Sequence, residues 1–144
     1  MTEELRKETA FHEAGHAAVV LALGLEIENA IMPPMSPFGE VNFRAVESSP
    51  EVPVAIIAGE VATAIEYKDC NVRKTVNALY IMPSAFKDSE DLQRLEKNYS
   101  IEETLTAMEN AEKILHDHWR KVNEIARRLM TRDYIDGMEL RRMW

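Results

Sequence analysis

His12-Glu13-Ala14-Gly15-His16 places two imidazoles four residues apart, with a carboxylate directly after the first. On an α-helix, residues four apart stack on one face, so the two histidines can hold one metal ion from consecutive turns. Glu13 falls beside that face, where its carboxylate can take a proton from a metal-bound water. The chemistry requires a helix, and the flanks predict one. Thr2 is a good N-cap, Glu3 and Glu4 suit the positive end, and Gly24 can close the other end. Leu5, Thr9, His12, His16, Val19, Val20 and Leu23 follow i, i+3/i+4 steps, which turns both histidines inward. The alternative is a core helix whose histidines only hydrogen-bond to backbone. Two histidines at this spacing, with Glu after the first, favour the metal.

The rest of the composition sets bounds. A chain of 144 residues, 46% hydrophobic and 29% charged, suits one globular domain with a real core. A net charge of −8 argues against nucleic acid, whose binding needs a basic face, and the mixed run Lys68 to Lys74 is too short to change that. The lone Cys70 excludes an internal disulfide, in keeping with a reducing compartment, and is expected to be a small packed or surface thiol. No apolar run approaches the ~20 residues that span a bilayer. The charged start, Met1 to Thr9, reads as helix and not as a signal peptide, so the expected setting is cytoplasmic, with no membrane partner.

Beyond Gly24, Glu26 to Met32 reads as a strand with Ile27 and Ile31 on one side, ended by Pro33 and Pro34. Ser36-Pro37-Phe38-Gly39 reads as a turn, and Val41, Phe43 and Ala45 alternate with polar residues in a second strand. The two strands can make a hairpin or small sheet against the first helix. Edge strands near the metal of HExxH peptidases often bind extended substrate; a purely structural hairpin is the other reading. A broad apolar face over Pro53 to Tyr67 predicts the central packing helix. Val72, Val76 and Leu79 suggest a short helix, and Pro83 and Ser84 a loop. Asp88 or Ser89 can cap a helix running to about Asn98, with Leu92 and Leu95 inward and Asp91 in its first turn. Ser100 to Glu103 has capping-box spacing, and the apolar steps from Ile101 to Leu129 predict one long helix or two in succession. Asp136-Gly137-Met138-Glu139 looks like the cap of a last short helix. The predicted class is mostly α (α+β), an HExxH helix with a small β-sheet or hairpin, as a single domain over residues 1–144.

Catalytic zinc usually takes three protein ligands and leaves the fourth position for water. The metzincin extension would need Gly at 19 and His at 22; the residues there are Val19 and Ala22, which excludes that class. An acidic third ligand is therefore required, and spacing does not choose among Glu60, Glu66, Glu90 and Asp91.

Phe11-His12-Glu13-Ala14-Gly15-His16-Ala17 resembles the HEAGHA helix of the FtsH-type zinc metallopeptidases, the proteolytic domain of a membrane-bound AAA+ protease. Three further stretches are similar in order. Ile56-Ile57-Ala58-Gly59-Glu60-Val61-Ala62 resembles the family's Gly-Gly-Arg-Ala-Ala-Glu segment, and Tyr134-Ile135-Asp136-Gly137-Met138-Glu139-Leu140 its Leu-Asp-Gly-Glu-Glu-Ile ending. Ser89-Glu90-Asp91-Leu92 resembles the Ser/Ala-x-Asp-Leu segment whose Asp is the third zinc ligand, which implies that role for Asp91. Ala58, Glu60, Thr63 and Ala64 depart from the family's first Gly, its Arg and its paired glutamates, and the region after Asp91 is shorter. With no G-x-x-x-x-G-K loop and no anchor segment, the expectation is a peptidase domain without the ATPase and membrane parts.

The resemblance implies Zn²⁺ held by His12, His16 and Asp91, with Glu13 as general base on the water that attacks a peptide carbonyl and as proton donor to the leaving amine. The implied substrates are peptides or unfolded proteins, delivered where necessary by a separate unfoldase or adaptor, and a homo-oligomer stays open. His116 and His118, near Trp119, are expected to be solvated or packed. Two rivals stand beside this reading: a non-catalytic module that keeps the fold and metal for binding or regulation, and a metal-free helical interaction domain.

Overall fold

Thr2 begins the first helix by accepting the Leu5 amide on its hydroxyl, which satisfies one of the helix's unpaired first-turn donors. In the computed structural model, which describes residues 2–68 and 71–144, helix α1 runs Glu3–Ala22. It ends in a Schellman motif: Leu25 N–H donates to Val20 O, Gly24 N–H donates to Leu21 O, and Gly24 takes φ +72°. The chain then turns into strand β1, Glu26–Ile31, which pairs antiparallel with β2, Glu40–Arg44. Helix α2, Glu51–Tyr67, crosses α1 and is buried along most of its length, from Val52 to Gly59 and again at Val61 and Ala62, as the apolar sequence predicted.

Helix α3 covers Val72–Ile81, burying Val76 and Leu79. The stretch expected as a loop at Pro83 and Ser84 is a 3-10 turn, Pro83–Phe86, with Pro83 at a helix-starting position where its missing N–H costs nothing. Ser89, not Asp88, caps helix α4, Glu90–Asn98, which sits on its buried Leu92 and Leu95. The capping box at Ser100 and Glu103 is formed and opens α5, Ile101–Asp117. The long apolar repeat is two helices: His118 leaves helical geometry, and α6 restarts at Trp119 and runs to Arg132. A third strand, β3 at Tyr134–Asp136, was not expected; it pairs antiparallel with β1 to give the order β2-β1-β3. Asp136 then caps α7, Gly137–Met143. Cys70, with its expected packed or surface role, lies outside the described residues. Among them, no helix is long and apolar enough to cross a membrane.

The fold is thus mostly helical with a small antiparallel sheet, as expected. One strand detail is corrected. The β1–β2 register slips between Ile27 and Asn29, so a bulge at Glu28 breaks the two-residue alternation. Ile27 and Ala30 are therefore the buried pair, and Ile31 is only half-buried. The inward stripe of α1 holds at Thr9, His16, Val19 and Val20, all buried; Leu5 is exposed and His12 half-buried, because this end of the stripe lines an open cleft.

The core seam between α1 and α2 is made of small residues. A Cβ built on Gly15 would stand 2.8 Å from the Ala58 carbonyl oxygen and collide with Ala62 Cβ. Neither obstacle is a flexible side chain, so the overpacking cost, about 1–3 kcal/mol, should exceed the ~1 kcal/mol that alanine gains over glycine within a helix. Gly15→Ala should therefore lose stability, by up to roughly 2 kcal/mol net. Urea unfolding followed by circular dichroism measures it; an unchanged or raised midpoint at equal slope would show that the helices part without cost.

Candidate metal centre

His12 and His16 reach the cleft from adjacent turns of α1, their ring centroids 4.8 Å apart at 73°. His16 is held from behind. Its Nδ1 donates to the Ala55 carbonyl of α2 at 2.7 Å, which leaves Nε2 as the atom facing the cleft. Such a bond from the far ring nitrogen to a carbonyl fixes tautomer and orientation, and is the usual support of a metal-binding histidine. Glu13, only 5% exposed, turns its carboxylate toward the same space. One ligand atom each from His12, Glu13 and His16 lies within 4.8 Å of the others, so the group could hold a metal ion.

Asp91 arrives from another part of the chain. Its position in the first turn of α4 is set by the Ser89 cap and by the docking of Leu92 and Leu95. The neighbouring segments lock that helix in place. Gln93 Nε2 donates to Pro83 O at 2.8 Å, and the Tyr80 hydroxyl of α3 sits 2.7 Å from both Tyr99 O and Thr104 Oγ1. Asp91 Oδ2 thereby stands 3.3 Å from His12 Nε2 and 3.0 Å from His16 Nε2, while the two Nε2 atoms are 3.1 Å apart. Of the other acidic candidates, Glu66 is turned to Lys7 at 4.0 Å; Glu60 and Glu90 line the cleft without a hydrogen bond to either histidine among the described residues. His116 is exposed, and His118 rests on the Trp144 ring with centroids 4.7 Å apart, matching the solvated and packed roles expected.

The electrostatics follow from this packing. Burial opposes a charge on His16, but the hydrogen bond to Asp91 and the Asp91 and Glu13 charges together outweigh it and raise the imidazole to about 9. Burial likewise opposes ionisation of Asp91, and the hydrogen bonds and charges of His12 and His16 overcome it, holding the carboxyl well below the usual carboxylate range. Burial pushes Glu13 above its ordinary value, against the pull of His16 and His12. The cluster thus favours positive charge between its donor atoms.

Two glycines that residue chemistry did not single out shape the site. A Cβ on Gly59 would stand 2.5 Å from Nε2 of both His12 and His16, so only glycine leaves the space in front of the two nitrogens open. A Cβ on Gly39 would stand 2.7 Å from Glu13 Cγ and 2.8 Å from Ile31 O, so the loop before β2 closes directly on the Glu13 side chain. The available signal for Gly59 was a glycine inside an otherwise strongly apolar helix, where it costs ~1 kcal/mol relative to alanine and calls for a packing reason. The residues present fit a metal ion: imidazole and carboxylate donors converge, one ring is oriented by a backbone carbonyl, and the approach is kept clear by Gly59.

Compared with known proteins, the chain matches no family model, and no match was found among curated proteins.

Gly59→Ala should keep the helical circular dichroism signal and weaken metal binding by about 100-fold or more, the upper end of what a lost supporting contact usually costs. Competition with a chromogenic chelator measures it; wild-type affinity in the variant would contradict the placement of the ion in front of both rings.

Proposed function

We propose that this chain is a zinc-dependent peptidase of the FtsH type that hydrolyses peptide bonds in peptides or unfolded proteins. The observation that carries the reading is the triangle of His12 Nε2, His16 Nε2 and Asp91 Oδ2, with sides of 3.0, 3.1 and 3.3 Å. Tetrahedral zinc with bonds of ~2.0–2.1 Å separates its ligands by about 3.3–3.4 Å, close to these sides. Hydrogen bonding alone accounts for the triangle poorly. A ring nitrogen offers one proton or one lone pair in the ring plane, yet His16 Nε2 is within 3.1 Å of two partners. A single cation satisfies all three atoms at once.

In this reading His12, His16 and Asp91 hold the zinc and Glu13 is the general base. When bound, zinc polarises the scissile carbonyl and lowers the pKa of a water at the centre toward ~7. The Glu13 carboxylate takes the proton of that water as it attacks, then delivers it to the leaving amine. The Gly39 backbone lies close against the Glu13 side chain, leaving no room there for a Cβ. His16 keeps its Nδ1 proton on Ala55 O throughout, so its lone pair stays directed at the ion. Substrate has a place to lie. The cleft has a volume of about 690 Å³, and Glu40, Val41 and Phe43 of β2 line it. Strand β2 pairs on one side only among the described residues, so its other edge can accept an extended peptide as an added strand. The cleft has room for an unfolded segment rather than a folded protein, which is why a separate unfoldase or adaptor belongs to the proposal, as does cytoplasmic work.

Protein purified without chelator or metal-affinity columns should carry close to one zinc per chain, and His12→Ala or His16→Ala should abolish it. Full occupancy in either variant would remove the basis of the reading.

Glu13→Gln should keep zinc and lose hydrolysis by at least the ~10²–10⁴ that a general base contributes. The assay is cleavage of an unfolded protein such as casein, stopped by chelator and restored by zinc. Zinc-loaded wild type and variant that are equally inert would favour the non-catalytic module. Equal cleavage by both would assign the base elsewhere.

A further inference from the structure

The walls of the cleft carry more negative charge than the centre uses. Glu8 on α1, Glu40 on β2, Glu60 on α2, and Asp88 and Glu90 at the start of α4 line it, against one basic residue, Arg94. Among the described residues none of these five carboxylates is in an ion pair, although Lys7 and Arg44 beside them are paired elsewhere, with Glu66 and Glu28. At the floor, Glu13 is only 5% exposed and makes no hydrogen bond among the described residues, yet its carboxylate lines the cleft. A buried, unpartnered carboxylate at the base of a ring of unpaired ones points to a polar or cationic occupant.

The same walls carry apolar surface. Phe38 is 72% exposed at the mouth of the cleft, and Leu5, Val41 and Phe43 continue the apolar lining inward. The loop that presents Phe38 is tied down: the Thr9 hydroxyl donates to Pro37 O at 3.0 Å, and Arg6 donates to Pro34 O at 3.2 Å. Phe38 is thus held out over the cleft on a fastened loop. Exposed aromatic faces beside carboxylates match side chains that are apolar along the stem and cationic at the tip. Lysine and arginine pack their methylenes on such rings, meet the ring face by cation–π attraction and place the charge on the acid.

We propose that the cleft selects extended segments rich in lysine or arginine and turns away acidic ones. The proposal rests on the peptidase reading for what happens to the segment, but its own content is the charge preference. Clefts lined by one sign of charge gather oppositely charged ligands and do so less as salt rises, because the Debye length falls from ~30 Å at 0.01 M to ~8 Å at 0.15 M. Glu8 and Glu60 stand on different walls and neither is assigned to the metal or to proton transfer.

The test uses three quenched fluorescent peptides with one apolar centre and flanks of lysine, glutamine or glutamate. Zinc-loaded wild type should cleave them with kcat/KM in the order lysine, glutamine, glutamate, the extremes differing by about tenfold or more at low salt and converging as salt rises. Glu8→Lys and Glu60→Lys should each shrink that ratio severalfold. Binding of the same peptides to zinc-loaded Glu13→Gln, read by fluorescence anisotropy, gives the preference without turnover. Equal cleavage of all three, insensitive to salt and to both variants, would overturn the charge preference and leave the peptidase reading intact. Lysine-selective binding without cleavage by wild type would sustain the preference and sink the peptidase reading. Failure of every peptide to bind would overturn both.

Discussion

The close crossing of α1 over α2 is the contact on which the other arrangements depend. Gly15 meets Ala58 and Ala62, and Gly59 meets the two imidazoles, so the helices approach nearer than any side chain larger than hydrogen would allow at those points. Each glycine gives up ~1 kcal/mol of helix propensity. The return is burial: Val19, Val20 and Ile57 are wholly buried along with the alanines around them. The same proximity brings the Ala55 carbonyl to His16 Nδ1, so the packing that stabilises the core also sets which nitrogen of the ring faces the cleft. Core and site are one construction here, and a change that loosened the helix pair would be felt at the histidines.

The third donor reaches the centre by tertiary packing alone. Asp91 is 79 residues from His12 and 75 from His16, and it stands beside them because α4 is docked through Leu92 and Leu95 and braced through Tyr80 and Gln93. That makes the site a junction between the α1–α2 pair and a short helix with little buried surface of its own. A cation shared by α1 and α4 would bind the folded arrangement far better than the unfolded chain, in which the donors are scattered, and would stabilise α4 in proportion.

What could be read from the sequence was what is decided locally. The caps at Thr2, Ser100 and Asp136 form where side-chain chemistry put them, and Ser89 takes the cap left between it and Asp88, since each needs only a backbone amide three residues away. The HExxH helix followed from its caps and apolar period, and α2 from its broad apolar face. The misreadings have a common origin in contacts that period does not encode. The bulge at Glu28 moves the buried position from Ile31 to Ala30, because the register is set by the partner strand. β3 is three residues with one buried side chain, Ile135, too short to show alternation, and it exists because β1 offers it an edge. The face of Leu5, Thr9, His12 and His16 has the spacing of a core stripe, and only the tertiary structure tells a cleft from a core. For the same reason spacing left four carboxylates as candidates, and it took a family resemblance to single out Asp91, the one found between the two rings.

Carboxylates crowded around one cleft repel each other, and in a chain of net charge −8 nothing distant relieves them. Their arrangement divides the burden by depth. At the floor Glu13 and Asp91 face the two histidines, and the hydrogen bond and charge of Asp91 raise the His16 imidazole. A dication there would balance those two carboxylates and free the histidines to be neutral ligands. The rim carboxylates stand on four separate elements, α1, β2, α2 and the start of α4, so no one ion can answer them all. A long chain with spaced positive charges can, because it passes each wall in turn. Under the proposed charge preference, an ion held by His12, His16 and Asp91 would leave the rim carboxylates free to meet a cationic segment.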